Sequence, residues 1–380
     1  MVPFDFEPRT RLVFGRGTVH RAGQLAKALQ FQRVLLVADR GVLKAGHVSA
    51  VTKSLEAESI CVVPYHDFGE NPDSSMVETG RQFAAPLQID SIIALGGGSS
   101  LDCAKGINFV LTNGGRIGDY RGYGKPSHRL LPMIGIPTTA GTGSEAQSYA
   151  VISDAATHMK MACGDPSAAM RTAVLDPELT LTAPHHVTAM AGFDAIAHAV
   201  ETAVTIKRSP LSDTFSYRAW HLLSQAFERV LLHPADIEAR SAMQIGAHFA
   251  GMAIEQSMLG AAHACANPLT ARYNMAHGLA LAILLPQVVR WNADLARERY
   301  AALMGSPRRR ARDEDAAETL ALKLEDLARA AGLGLKLSDS GVEEGAIPEL
   351  AALAATQWTG MFNPRPFDAA GAAEIYRAAL

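Results

Sequence analysis

Asp194 and His198 stand four residues apart in Gly192-Phe193-Asp194-Ala195-Ile196-Ala197-His198-Ala199-Val200-Glu201. On a helix that spacing stacks the two side chains one turn apart on one face, where a carboxylate and an imidazole can share one metal ion. A lone pair of this kind equally describes a capped or solvated contact, so the later histidines matter. His263 lies in the small-residue stretch Leu259-Gly260-Ala261-Ala262-His263-Ala264-Cys265-Ala266, where burying an imidazole is costly without a partner. His277 follows in Tyr273-Asn274-Met275-Ala276-His277-Gly278, at the mouth of an apolar run. One carboxylate and three imidazoles in one helical half suit Fe2+ or Zn2+. His185 and His186, adjacent and preceded by Pro184, read as surface loop.

A second group of residues suits a nucleotide. The apolar run Ser91-Ile92-Ile93-Ala94-Leu95 leads into Gly96-Gly97-Gly98-Ser99-Ser100, with a helix expected from Leu101-Asp102. Glycines there let the backbone approach a pyrophosphate, and a helix start offers free N–H groups and a positive dipole end. The pattern lacks the last glycine of G-x-G-x-x-G, and a plain tight turn has the same look. Asp39, closing an early strand, can accept from an adenosine ribose 2′-OH and would repel a 2′-phosphate. Arg40 beside it opposes that, since a guanidinium can bind the phosphate. In Pro137-Thr138-Thr139-Ala140-Gly141-Thr142-Gly143-Ser144-Glu145, small residues and three threonine hydroxyls suit close packing against a flat polar ring such as nicotinamide.

These groups need elements to hold them. Up to Asp176-Pro177 the chain alternates β-rich runs with amphipathic stretches, the pattern of a parallel sheet with crossover helices. The runs at 33–39, 60–63, 91–95 and 131–137 read as strands, and residues 48–56 and 76–87 as helices between them. From Thr188 to about Ala331 the spacing is helical throughout, and another helix closes the chain after Asn363-Pro364-Arg365-Pro366. A boundary near Thr182-Ala183-Pro184 therefore separates an α/β half from an all-helical half.

Composition limits the partners. With 35 basic against 38 acidic residues and a net charge of −3, no basic face points to nucleic acid or an anionic membrane. The run Arg308-Arg309-Arg310 with Arg312 is followed at once by Asp313-Glu314-Asp315 and reads as a solvated loop opening a helix. The longest apolar run, residues 279–289, contains Pro286 and Gln287 and falls short of the about 20 residues that span a bilayer. Four widely spaced cysteines, Cys61, Cys103, Cys163 and Cys265, fit unpaired thiols in a reducing cytoplasm. The acidic N-terminus broken by Pro3 is unlike a signal peptide.

With these residues in hand, the chain resembles the iron-containing (group III) alcohol dehydrogenases, relatives of lactaldehyde reductase with a dehydroquinate synthase-like fold. The likeness runs along essentially all 380 residues. It implies a Rossmann-like α/β dinucleotide-binding domain over residues 1–182 and an all-α metal-binding domain over 183–380. The family's glycine-rich loop falls on Gly96, Gly97, Gly98 and Ser99, with Asp102 and Lys105 in the helix behind. Its nicotinamide loop falls on Thr138, Thr139, Thr142 and Ser144, and its Asn-Pro beside the pyrophosphate on Asn71 and Pro72. Its cofactor lysine matches Lys160, and Asp176-Pro177-Glu178-Leu179-Thr180, including the cofactor contact Leu179, leads to the second domain.

The four metal ligands of the family fall on Asp194, His198, His263 and His277. The resemblance implies Fe2+ first and Zn2+ second and a homodimer that turns over a small alcohol or aldehyde; Asp39 favours NAD over NADP, and the cysteine usage a cytoplasmic location. Hydride would pass in the interdomain cleft, with the substrate oxygen polarised by the metal. Tyr149, Ile254 and Phe362 would line the substrate pocket. One departure stands out: where many members carry a second histidine four residues after the third ligand, this chain has Asn267, which puts the proton path in question. Two other functions fit the scaffold, a dehydroquinate synthase-like cyclase or lyase using NAD transiently and a non-catalytic nucleotide-binding protein.

Overall fold

The computed structural model describes residues 4–305 and 316–380; the charged run 308–315, like residues 1–3, lies outside the described residues. Two compact units result, Phe6–Ala183 and Pro184–Leu380, with Phe4 and Asp5 grouped with the second.

The first unit holds strands β1 (Arg11–Phe14), β2 (Arg33–Val37), β3 (Cys61–Tyr65), β4 (Ser91–Gly96), β5 (Gly122–Tyr123), β6 (Met133–Pro137), β7 (Tyr149–Ser153), β8 (Lys160–Gly164) and β9 (Thr172–Leu175). Its helices are α1 (Ala22–Ala28), α2 (Arg40–Lys44), α3 (His47–Glu56), α4 (Ser74–Ala84) and α5 (Gly98–Asn113). Six strands form one sheet in the order β1-β9-β6-β4-β2-β3, every neighbouring pair parallel. Side chains alternate across it. Val34, Leu36, Ile93 and Leu95 pack with Val51 and Leu55 of α3, while Leu35, Val37, Ile92 and Ala94 pack with Leu101, Ala104 and Ile107 of α5. Both faces are covered, which is why these strands are written as unbroken apolar runs.

From β2 the sheet grows on one side to β3 and on the other to β4, so the chain reverses direction between β2 and β4. The carboxyl ends of strands flanking such a switch point form the crevice that α/β sheets offer to ligands. Asp39 and Gly96 stand there. Two details differ from expectation. The strand ending at Val37 is followed by α2, which Asp39 caps, and α5 begins at Gly98 rather than at Leu101. Glycine is a poor helix former, but a Cβ at Gly98 would lie 2.5 Å from the Thr142 side chain, so close packing requires glycine there.

A second sheet, β5-β8-β7, has β7 and β8 antiparallel and was not anticipated. Its buried side, Ala150, Ile152, Met161 and Cys163, meets Phe109 and Val110 of α5, while Tyr149, Val151, Ser153, Lys160 and Ala162 stay half-exposed. Alternation with polar ends is the form of a sheet wetted on one face, and it conceals the strands from a search for apolar runs.

The second unit is helical, with no strand among the described residues. It holds α6 (His185–Thr202), α7 (Pro210–Leu232), α8 (Ile237–Ser257), α9 (Ala261–Tyr273), α10 (His277–Trp291), α11 (Ala293–Leu303), α12 (Ala316–Ala330), α13 (Ile347–Ala355) and α14 (Ala369–Ala379). His185 and His186 are exposed, yet they open α6 instead of lying in a loop. From Gly192 to Thr202 α6 is buried on all sides, so it is a central helix and its polar residues need partners. α10 meets it closely: a Cβ on Gly278 would lie 2.3 Å from the Met190 carbonyl oxygen. Among the described residues no single helix is long and apolar enough to cross a membrane; α10 and α11 match by composition only as a pair bent by 113°.

Candidate active site

The close approach of α10 to α6 sets His277, the first residue of α10, against Asp194, while His263 in the first turn of α9 arrives from another side. Nε2 of His198, His263 and His277 lie 3.1, 3.4 and 3.8 Å from the same oxygen, Oδ1 of Asp194. The His198 and His263 rings stack at 4.8 Å, and His263 and His277 are 5.3 Å apart. One ligand atom each from Asp194, His263 and His277 lies within 4.8 Å of the others; His198 joins through its approach to Asp194.

These approaches lack hydrogen-bond geometry: Oδ1 of Asp194 and Nε2 of His263 are buried polar atoms with no hydrogen-bond partner. Leaving two such atoms dry is expensive unless a cation takes both. Donors bonded at about 2.0–2.1 Å in a tetrahedral site sit about 3.3 Å apart, close to the spacing seen here. The residues therefore fit a divalent ion. Burial works to raise the Asp194 carboxyl, but His198, then His263 and His277, outweigh it and hold it well below the usual carboxylate range, ionised as a ligand must be. The Asp194, His198 and His263 side chains are 6–9 % exposed, whereas that of His277 is 20 % exposed, so solvent reaches the centre from the His277 side.

Glu201 was overlooked in the sequence. It lies one turn beyond His198 on the same face of α6, is buried, and its Oε2 is hydrogen-bonded to Nδ1 of His263. Burial alone would lower the His263 pKa, but the Glu201 carboxylate, aided by Asp194, pushes it up to about 9. The available signal was the i, i+4, i+7 series Asp194, His198, Glu201, three polar residues on one face of an otherwise apolar helix.

In the first unit the nucleotide-type residues gather at the switch point. Ser100 of α5 donates to Oδ2 of Asp39 at 2.9 Å, and Thr138 N donates to the Gly96 carbonyl at 3.0 Å. A Cβ on Gly98 would lie 2.5 Å from Thr142, so only glycine allows the two loops this contact. Asn71, at φ 49°, gives its N–H to Ser99 at 3.3 Å and leads into Pro72. Lys105, fully buried, extends Nζ to the carbonyls of Ser144, Gln147 and Tyr149 at 2.7–2.8 Å and to the Ser144 hydroxyl at 3.0 Å. Ser144 in turn donates to Asp102 at 2.7 Å. Burial raises the Asp102 carboxyl, against the pull of Lys105, the Ser144 hydroxyl and Lys160. Leu179 is buried in the same hydrophobic core as Val42 and Val48.

The pocket candidates lie in three elements. Tyr149 opens β7, half-buried, 5.5 Å from the Tyr123 ring. Ile254 is buried in α8. Phe362 ends a short 3-10 turn, edge-on to Trp358 at 5.9 Å, with the Lys207 ammonium 5.8 Å from its ring. Asn267, one turn beyond His263 in α9, donates to the Gln357 side-chain oxygen at 3.0 Å.

Comparison with known proteins agrees with this geometry. Residues 8–177 match the model of the iron-containing alcohol dehydrogenases, and residues 188–380 that of the C-terminal region of the Fe-containing alcohol dehydrogenase family. Alcohol dehydrogenase 4 of Schizosaccharomyces pombe is 37% identical over 281 residues, 74% of this chain and 67% of the relative. NAD-dependent methanol dehydrogenase of Bacillus methanolicus is 32% identical over 371 residues, 97% of each chain. The crystal structure of a 1,3-propanediol oxidoreductase superposes with a TM-score of 0.95 at 31% identity, covering all of both chains. None of these likenesses favours the cyclase or lyase alternative.

Proposed function

The chain belongs to the iron-containing alcohol dehydrogenase family, and on that premise we propose that it is a metal-dependent, NAD-linked alcohol dehydrogenase and aldehyde reductase for small alcohols and aldehydes. The observation that carries this reading is one buried Asp194 oxygen ringed by three imidazole nitrogens at 3.1, 3.4 and 3.8 Å. Asp194, His198, His263 and His277 would hold Fe2+ by preference and Zn2+ second, a nitrogen and oxygen set without thiolate. When bound, such an ion supplies Lewis acidity toward the substrate oxygen, and the dinucleotide gives or takes the hydride.

The remaining work falls to the chain's own groups. The free N–H groups of the first turn of α5, at Gly98, Ser99 and Ser100, together with its positive end, attract a pyrophosphate, with Gly96 and Gly97 leading in and Asn71 and Pro72 beside Ser99. Asp39 offers its carboxylate to a ribose 2′-OH. Thr138, Thr139 and Thr142 present hydroxyls to the nicotinamide, while Ser144, bonded to Lys105 and Asp102, anchors the end of their loop, with Lys160 behind. Leu179 is an apolar support for the adenosine end, and Tyr149, Ile254 and Phe362 bound the substrate. In this division the dinucleotide belongs to residues 1–182 and the metal to residues 183–380.

A homodimer in the cytoplasm completes the proposal. β1 is an edge strand whose Leu12 and Phe14 are 39 % and 41 % exposed, a row a second copy would cover. All four cysteines are free thiols, as a reducing compartment favours. Light scattering of the purified chain distinguishes dimer from monomer. The enzymatic reading is tested by following NADH consumption with a panel of short aldehydes, before and after stripping and reloading with Fe2+ or Zn2+. Metal-dependent turnover is expected; a metal-loaded protein inert toward every aldehyde and alcohol would overturn it.

A further inference from the structure

Helix α9 starts without a side-chain cap, because Gly260 occupies its N-cap. Its free N–H groups are taken instead by residues distant in sequence. Ala261 N donates to Asn363 Oδ1 at 3.3 Å, and Ala262 N donates to Glu201 Oε1 at 2.8 Å. The other Glu201 oxygen, Oε2, faces Nδ1 of His263. Both oxygens of one buried carboxylate are thus committed, one to the helix that carries His263 and the other to the ring itself.

From this arrangement we propose that Glu201 is the positioning residue that commits His263 to metal binding. The inference rests on the metal centre proposed above. An imidazole that donates from Nδ1 carries its lone pair on Nε2, the nitrogen 3.4 Å from Asp194 Oδ1. A carboxylate at Nδ1 therefore selects the tautomer that can ligate, and it makes Nε2 a stronger donor. Because the same carboxylate holds Ala262 N, ring orientation and the position of α9 are set by one group. An amide at position 201 cannot do both. Its oxygen can accept from Ala262 or from His263, while its NH2 faces the other donor or gives a hydrogen to Nδ1. The second arrangement moves the imidazole hydrogen to Nε2 and blocks ligation.

The test compares the full-length wild type with Glu201→Gln and Asn363→Ala, all stripped of metal. Zn2+ affinity is measured by competition with a chromogenic chelator, Co2+ absorption reports the ligand set, and thermal unfolding of the metal-free proteins reports the fold. Asn363→Ala removes the neighbouring helix contact without touching the His263 ring. Glu201→Gln is expected to weaken Zn2+ binding about 10–100-fold and to change the Co2+ spectrum. Asn363→Ala is expected to lower the unfolding temperature while leaving Zn2+ affinity within about threefold of wild type, well short of the loss from an altered metal shell. Equal Zn2+ affinity in Glu201→Gln and wild type overturns the inference and leaves the metal centre standing. A loss in Asn363→Ala as large as in Glu201→Gln also overturns it, since helix placement alone would then be the cause. A wild-type chain that takes up neither ion overturns the metal centre, and this inference with it.

Discussion

Ser100 donates its hydroxyl to Oδ2 of Asp39 at 2.9 Å, while Oδ1 of the same carboxylate takes the N–H groups of Gly41 and Val42 at 2.8 and 3.0 Å. Asp39 is thereby fixed at the carboxyl end of β2, facing the switch point. Arg40, the residue that could reverse the cofactor preference, is paired with Asp67 at 3.1 Å. That pair is exposed on both sides and holds Arg40 only weakly, so the expectation rests on Asp39, whose carboxylate is pinned by Ser100, Gly41 and Val42 at the switch point. A carboxylate against a 2′-phosphate costs several kcal/mol, which predicts kcat/KM for NAD above that for NADP by on the order of 100-fold. Asp39→Gly should narrow the ratio. A wild-type preference for NADPH would show that Arg40 governs instead.

Removal of a metal ligand should be more damaging than removal of a residue behind one. His263→Ala and His277→Ala are expected to lose bound metal and turnover by more than the roughly 10–100-fold typical of an outer partner. Elemental analysis and a steady-state assay on the same preparation check this. Full activity in metal-free His277→Ala would sink the metal-dependent mechanism.

Lys105 makes a stability prediction. Its ammonium is buried among three carbonyls and the Ser144 hydroxyl, so Lys105→Met leaves those oxygens dry. The expected loss is about 3–5 kcal/mol by denaturant unfolding, as for other broken buried charge contacts. Because the Ser144 oxygens close the loop assigned to the nicotinamide, and Gln147 and Tyr149 follow it directly, KM for NAD should rise as well. A variant as stable as wild type, with unchanged KM, would show that the loop holds its shape unaided.

Asn267 bears on the proton path. Its amide is engaged with Gln357, which supports a packing role, and it does not titrate near neutral pH. The pH profile of kcat should therefore lack a limb assignable to this position. Asn267→His is expected to add or shift such a limb with metal content unchanged, because an imidazole titrates in that range. Superimposable profiles for the two proteins would make Asn267 a packing residue only.

A covered parallel sheet needs apolar runs, so β2, β4 and β6 were visible as such. Asp194 and His198 share a face because helical geometry is periodic, and that much follows from spacing alone. Contacts between distant segments were not legible. Nothing in the sequence says that Gly278 lets α10 press on α6, or that this brings His277 to Asp194 across 82 intervening residues. Spacing puts Glu201 on the face of Asp194 and His198, but only burial, which removes its water, leaves His263 and Ala262 as its partners. Asp39 was legible as a strand-end carboxylate, but its commitment to Ser100 and to the cap of α2 depends on where α5 packs. Sequence alone determined which groups were available and which neighbours along the chain share a face. Only the tertiary structure decided which of them meet, because burial and long-range packing, not spacing, choose the partner of each polar atom.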